Sequence, residues 1–396
     1  MTDKTNFDTQ AVRAGSLRTE FQEHSEALFL TSSFIFDNAQ QAASRFSGQE
    51  DGYVYSRFSN PTVQMFEQRL AALEGAQDGL ATASGMAAIW ACVLATLRAG
   101  DHLVYGANIF GATLQLFGNL LPRLGIECTA VDATDLNAWR QAIKPNTRLL
   151  FCETPSNPLM ALVDLEAFAQ LGRDSGALTV VDNCFCTPAA QKPLDFGVDV
   201  VVHSATKFID GQGRVLGGAV LGQRAFIREA LLPVLRMTGP SLSPFNAWVL
   251  LKGLETLSLR LGAQSARAQV IAQWLQERKE VARVYYPGLA SHPQRALVQR
   301  QQSLPGAVIA FELSGDSEQS RRERAWRLID RLKLMSITAN LGDTRTTITH
   351  PASTTHGRLP PEARARAGID EGLVRISVGL ESETDLLNDL KQAIEA

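Results

Sequence analysis

Val200-Val-Val-His-Ser-Ala-Thr-Lys-Phe-Ile-Asp-Gly-Gln-Gly-Arg-Val-Leu216 starts as an apolar run, passes through small hydroxyl residues and reaches a lysine just before a glycine-rich stretch. This order predicts a buried strand that delivers Lys207 to a loop at the sheet's edge. A lysine at the mouth of an apolar site loses its proton more readily than in water, and the neutral amine condenses with an aldehyde. Ser204 and Thr206 lie two residues apart, so on an extended backbone both hydroxyls fall on one face, where they can meet a phosphate. A surface turn can use the same residue types, and the neighbouring segments have to decide between the two.

Working outward, strand patterns recur at His102 to Tyr105, Glu127 to Val131, Arg148 to Glu153, Leu178 to Asp182 and Val198 to Val202, with helical stretches between most of them. Near-continuous apolar strands separated by helices predict an α/β fold whose largely parallel sheet is covered on both faces. Ligands in such sheets bind beyond the carboxyl ends of the strands. Three groups capable of chemistry fall at those ends: Glu153, Asp182 and Lys207. A carboxylate at Asp182, set against a pyridine nitrogen, keeps that nitrogen protonated and the ring electron-withdrawing. An amine for an aldehyde, an acid for a pyridine and hydroxyls for a phosphate together point to pyridoxal 5'-phosphate. Asn157, in Glu153-Thr-Pro-Ser-Asn-Pro158, sits in a proline-stiffened loop and suits either the ring hydroxyl or a substrate carboxylate. Glu153 receives no catalytic part.

Asn60 is placed to cap a helix that opens on Pro61, repeats Phe66, Leu70 and Leu73 on one face, and stops at Gly75. Beyond it, Ser84, Gly85 and Met86 begin a nearly all-apolar helix, and free N–H groups at that end hold a phosphate without a cationic side chain. In the polar segment before residue 60, Tyr55 and Arg57 fall on one side of an extended stretch, a phenol and a guanidinium suited to gripping a phosphate. That segment has no core of its own and is expected to lie on a second subunit. From Asn246 to about Glu277 the pattern predicts one long helix crossing to a smaller C-terminal layer. That layer combines strands at Ala307 to Leu313 and Leu373 to Val378 with helices from Gln319 to Leu332 and Ser382 to Glu395. Arg375 interrupts the last strand, and an inward arginine needs an anion, either an internal acid or a substrate carboxylate held by both arms of the guanidinium.

A chain of 396 residues exceeds one core, and the expected division is an arm over residues 1–60, a large domain over 61–255 and a small domain over 256–396. A net charge of −3 leaves no basic footprint for nucleic acid. The N-terminal residues lack the apolar stretch of a secretion signal, and no uncharged run is long enough to span a bilayer, so a cytoplasmic protein with no membrane contact is expected. The five cysteines sit mostly in apolar segments, as reduced thiols do, and Cys184 with Cys186 makes no second ligand pair, so no metal site is expected.

Taken together, Tyr55-Ser-Arg57 with Asn60-Pro-Thr62, Ser84-Gly-Met86, Glu153-Thr-Pro-Ser-Asn-Pro158, Asp182-Asn183 and Ser204-Ala-Thr-Lys207 resemble the trans-sulfuration family of pyridoxal-phosphate enzymes over nearly the whole chain. Its members include cystathionine gamma-synthases, cystathionine and methionine gamma-lyases and homoserine-ester sulfhydrylases. The resemblance implies the type I, aspartate-aminotransferase-like fold. It also implies a homotetramer built from two dimers, with Tyr55 and Arg57 reaching the neighbouring subunit's phosphate. The runs Asp182-Asn-Cys-Phe-Cys-Thr-Pro188, Asp210-Gly-Gln-Gly-Arg214 and Ala339-Asn-Leu-Gly-Asp-Thr-Arg345 before Thr349-His-Pro-Ala-Ser-Thr-Thr-His356 are similar to the branch acting on O-succinylhomoserine with sulfide. Asn340 stands where lyases usually show serine and is expected, with Asn157, Tyr55 and Arg375, to meet the substrate. Phe110 stands where the family commonly has tyrosine: it can stack on the cofactor ring but has no hydroxyl to move a proton, which leaves Lys207 as the proton carrier. Acetyl in place of succinyl, cysteine in place of sulfide, and elimination with no added nucleophile all stay open at this point, as does, more remotely, a non-catalytic α/β binding protein.

Overall fold

A computed structural model describes residues 5–395, apart from the side chains of residues 363 and 366. Seven strands form the larger sheet: β1 (Asp78–Thr82), β2 (His102–Gly106), β3 (Glu127–Val131), β4 (Thr147–Glu153), β5 (Leu178–Asp182), β6 (Val200–His203) and β7 (Gly218–Gly222). Their order is β1-β7-β6-β5-β4-β2-β3. From β3 through β6 every neighbouring pair is parallel, whereas β7 runs antiparallel to both β6 and β1. The parallel strands are apolar on both faces because helices cover both. Leu103, Val180, Val200 and Val202 pack toward the Gly85–Thr96 helix on one side, and Val104, Leu150 and Val181 toward the Leu165–Ser175 helix on the other. Each such side chain fully withdrawn from water contributes about 1.5–3 kcal/mol before chain entropy is set against it.

Local signals place the helices that frame the sheet. Asn60 accepts the N–H of Thr62 at 2.9 Å, Pro61 takes the first helical position, and Gly75 ends the Pro61–Glu74 helix in the left-handed region at φ 81°. Ser84 caps the next helix by accepting from Ala87. Strand β7 was not among the sequence expectations, because its glycines weaken a strand pattern. They have a steric reason: a Cβ on Gly218 would fall 2.2 Å from the Ser84 carbonyl oxygen.

A second sheet follows, with β8 (Val281–Tyr285), β9 (Val308–Leu313), β10 (Ser336–Ile337), β11 (Thr347–Thr349) and β12 (Leu373–Ser377) in the order β10-β11-β12-β9-β8. All its pairs are antiparallel except β10 with β11. The helices Leu257–Gln276, Glu318–Arg331 and Glu383–Glu395 share its core. No described helix is long and apolar enough to cross a membrane.

Three expectations need correction. The helix anticipated from Asn246 to Glu277 is two helices, Pro244–Leu254 and Leu257–Gln276. Buried Arg260 explains the break, since it donates to the carbonyls of Gly253, Phe208 and Ile209 at 2.8, 2.8 and 3.2 Å and so satisfies the end of the first helix and the loop after Lys207 together. Ser204 to Lys207 is not extended, because the Lys207 N–H turns back to the Ser204 carbonyl at 3.2 Å. Nor is Tyr55 to Arg57, where Phe58 and Ser59 donate to the Tyr55 carbonyl. The first 60 residues are also fastened to their own chain: wholly buried Arg69 donates to the Ala14 carbonyl and the Ser16 hydroxyl, each at 2.9 Å, and pairs with Glu26. Phe21 and Ile35 of that segment remain exposed, at 83% and 95%.

Candidate active site

Strand register brings the expected acids together. β4 and β5 align Glu153 with Asp182, and β6, beside β5, carries the chain into the turn that holds Lys207. Asp182 accepts the Cys184 N–H at 3.0 Å. Burial raises its carboxyl above the usual aspartate range, and that N–H, His203 and Lys207 pull the other way. Burial lowers the Lys207 ammonium below its ordinary value, and Arg375 adds to this while Asp182 opposes it. A lysine so placed gives up its proton at lower cost, as a group that must alternate between base and acid requires.

The second sheet supplies the opposite wall. Arg375, on β12, is buried, and burial pushes it down to about 10, which leaves it charged at neutral pH. It donates to the Asn157 side-chain oxygen at 3.0 Å and to the Ala339 carbonyl at 3.0 Å. Its Nε, although buried, has no partner among the described residues. An unsatisfied buried N–H on a guanidinium is costly unless an anion fills the gap. The side-chain oxygen of Asn340 accepts from Lys207 Nζ. Asn340 thus meets the lysine, beyond the substrate contact expected of it. His356, from the same region of chain, bonds Thr355 through Nδ1 at 2.9 Å, and burial beside Arg375 drives it down to about 4, so it is neutral.

The remaining expected residues divide into two groups. At the helix N-terminus, the N–H groups of Gly85 and Met86 make no bond to another described residue, and Gly85 lies so close to the Lys207 turn that a Cβ would sit 2.7 Å from the Ser204 Cβ. Thr206 is partly engaged elsewhere, donating to the Gly217 carbonyl at 3.2 Å and accepting the Gly217 N–H at 3.1 Å. Tyr55 and Arg57 lie elsewhere on the chain, where Arg57 stacks 4.7 Å above the Phe58 ring and donates to the Arg236 carbonyl. Within one chain they do not join Lys207.

Residues 8–395 match the model of the Cys/Met metabolism PLP-dependent enzymes. The chain belongs to this family. It is 54% identical, over 98% of its own length and 95% of the relative's, to the O-succinylhomoserine sulfhydrylase of Pseudomonas aeruginosa. It is 41% identical to the L-methionine gamma-lyase of Porphyromonas gingivalis, over 99% and 98% of the two chains. A putative O-acetylhomoserine (thiol)-lyase from Campylobacter jejuni, whose crystal structure carries N'-pyridoxyl-lysine-5'-monophosphate, superposes with a TM-score of 0.95 at 35% identity, covering 99% of this chain and all of the other. The type I fold and the pyridoxal-phosphate dependence expected from the sequence are both borne out.

The residues present suit that cofactor. Free N–H groups at the Gly85 helix end, hard against Ser204, form an anion cradle one turn from an amine, and a buried acid stands at the end of the adjoining strand. One contributor was not legible: Arg260 reads as one polar position among many in a long helix, and only the fold shows it supporting the loop after Lys207.

Proposed function

We propose that the chain catalyses a γ-replacement in which sulfide displaces succinate from O-succinyl-L-homoserine, giving L-homocysteine. The carbon–oxygen bond at Cγ breaks, a carbon–sulfur bond forms there, and succinate carries away the electron pair. The observation that supports this best is the 54% identity, over almost the full length, to a relative named O-succinylhomoserine sulfhydrylase.

Bound pyridoxal phosphate supplies an electron sink for carbanions formed next to the substrate nitrogen. Lys207 anchors the cofactor and then takes and returns the substrate's protons, since Phe110 has no hydroxyl to share that work. Asp182 would keep the bound ring's nitrogen protonated, and Phe110 would offer it an aromatic face. Ser84, Gly85, Met86, Ser204 and Thr206 bind the phosphate, Thr206 with the hydrogen-bonding capacity that Gly217 leaves free. Arg375 and Asn157 would hold the substrate carboxylate and so fix the substrate's orientation toward Lys207. Asn340 fixes the lysine and closes the substrate side. Tyr55 and Arg57 complete a neighbouring subunit's phosphate and substrate site in a homotetramer, consistent with the exposed apolar side chains of the N-terminal arm. Division into an arm to about residue 60, a large domain to about 255 and a small domain beyond, and a cytoplasmic location, belong to the same reading.

The test is to supply O-succinyl- and O-acetyl-L-homoserine in turn, each with sulfide or with cysteine, and to identify the product by mass. L-homocysteine from the succinyl ester with sulfide, several-fold faster than from the other pairings, is expected. Cystathionine as the main product, or rapid 2-oxobutanoate release with no sulfide present, sinks the proposal and favours a synthase or a lyase.

A further inference from the structure

Glu153 is 5% exposed at the carboxyl end of β4, and none of the roles above uses it. Its Oε2 accepts the backbone N–H of Phe110 at 2.7 Å. Phe110 stands at the start of the short Gly111–Gln115 helix, and no side chain caps that end from within the turn. On the other flank, Gly111 lies so close to the Thr355 carbonyl oxygen that a Cβ would come within 2.7 Å of it. Phe110 is 36% exposed, and its ring stacks on no aromatic ring among the described residues. Its place is therefore set through its backbone, which Glu153 grips from one side and the Thr355 segment crowds from the other.

The register that aligns Glu153 with Asp182 also puts two acids in one dry corner. Two buried carboxyls side by side disfavour each other's ionisation, and the one with the better cationic neighbours keeps its charge more easily. Lys207 and His203 attract Asp182, and Arg375 draws on Glu153. Burial and Asp182 together carry Glu153 well above the usual carboxylate range. Resting on the pyridoxal-phosphate reading, we propose that Glu153 is a positioning residue: its carboxyl holds the Phe110 backbone so that the Phe110 ring lies flat on the cofactor.

The proposal is tested on protein reconstituted with pyridoxal phosphate, comparing wild type, Glu153→Gln, Glu153→Asp, Phe110→Ala and the double variant Glu153→Asp/Phe110→Ala. The readouts are the cofactor dissociation constant, from visible absorbance, and the visible circular dichroism of the bound cofactor. Glu153→Gln keeps an uncharged acceptor of the same length and should stay within about three-fold of wild type with an unchanged dichroic band. Glu153→Asp withdraws the acid by one methylene and should loosen the cofactor about ten-fold and weaken the band, the loss expected from one unmade buried hydrogen bond. Phe110→Ala should match it, and the double variant should be no worse than Phe110→Ala alone. Glu153→Gln as weak as Glu153→Asp, or losses that multiply in the double variant, overturns the inference while leaving the cofactor reading intact. Wild-type protein that takes up no pyridoxal phosphate overturns both.

Discussion

Asn340 accepts a hydrogen bond from Lys207 Nζ while its own carbonyl and that of Ala339 receive Arg375 Nη2, at 3.5 and 3.0 Å. One short loop therefore sets the spacing between the amine proposed to move protons and the guanidinium proposed to hold the carboxylate. The Asn340→Ala change removes the side-chain contact and leaves the backbone contacts in place. A hydrogen bond to a charged group contributes about 1.5–3 kcal/mol, so kcat should fall roughly ten-fold or more while KM for the amino-acid substrate moves less. Steady-state kinetics on both parameters checks this, and a KM effect larger than the kcat effect would show that Asn340 serves the substrate instead.

Arg375 should respond in the opposite sense. Lysine in its place keeps a positive charge but loses the planar fork, along with the geometry that bonds Asn157 and Ala339 together. We expect Arg375→Lys to raise KM about a hundred-fold with a smaller effect on kcat, since the carboxylate is bound alike in the ground and transition states. Uptake of pyridoxal phosphate should be unchanged. A variant that loses the cofactor as well would place Arg375 in the cofactor's own shell.

Much of this arrangement was legible because strand ends speak in chemical types. Asp182 closes the run Leu178-Thr-Val-Val, Lys207 follows Val200-Val-Val after four small or polar residues, and a run buried on both faces has to stop where the sheet stops. Helix starts and stops at Asn60, Pro61, Gly75 and Ser84 were readable for the same local reasons. What a linear reading could not supply was the path of the chain between those points. Ser204 and Thr206 look equivalent on an extended backbone, but the turn lets Gly217 occupy the Thr206 hydroxyl and leaves Ser204 against Gly85. The continuous apolar pattern past Leu254 hid a break, because Arg260, which makes it, acts through carbonyls 52 and 51 residues away in the chain. The Glu153 grip on Phe110 joins two segments with no shared pattern at all.

The break yields a stability prediction. A Cβ on Gly253 would lie 2.2 Å from the Ile209 carbonyl oxygen and 3.1 Å from that of Asp210, and backbone atoms held by Arg260 cannot step aside cheaply. Gly253→Ala should destabilise the protein by about 1–3 kcal/mol despite alanine's better helix propensity. The strain is applied directly to the turn after Lys207, so cofactor affinity should fall along with the melting temperature. A melting temperature equal to or above wild type would mean that the Pro244–Leu254 helix and the loop after Lys207 meet less tightly.

The arm supplies the pH dependence. Burial alone would raise the Glu26 carboxyl, but hydrogen bonds from Lys252 and Arg69 outweigh it and hold Glu26 at about 2, against an ordinary value of 4.5. Between those values the unfolded chain binds a proton that the folded chain does not. The stabilisation is therefore complete above pH 4.5 and is lost as the pH falls toward 2. Glu26→Gln removes it at every pH and leaves the wholly buried Arg69 guanidinium with only Glu255, at 3.4 Å, as a charged partner. At pH 7 the variant should melt at least about 2 °C below wild type, a modest figure because Lys252 is partly solvated and screens its share. The gap should narrow steadily at pH 4, 3 and 2.5, as wild type loses what the variant never had. A gap that stays constant through that range would show that the Glu26 charge contributes nothing to holding the arm.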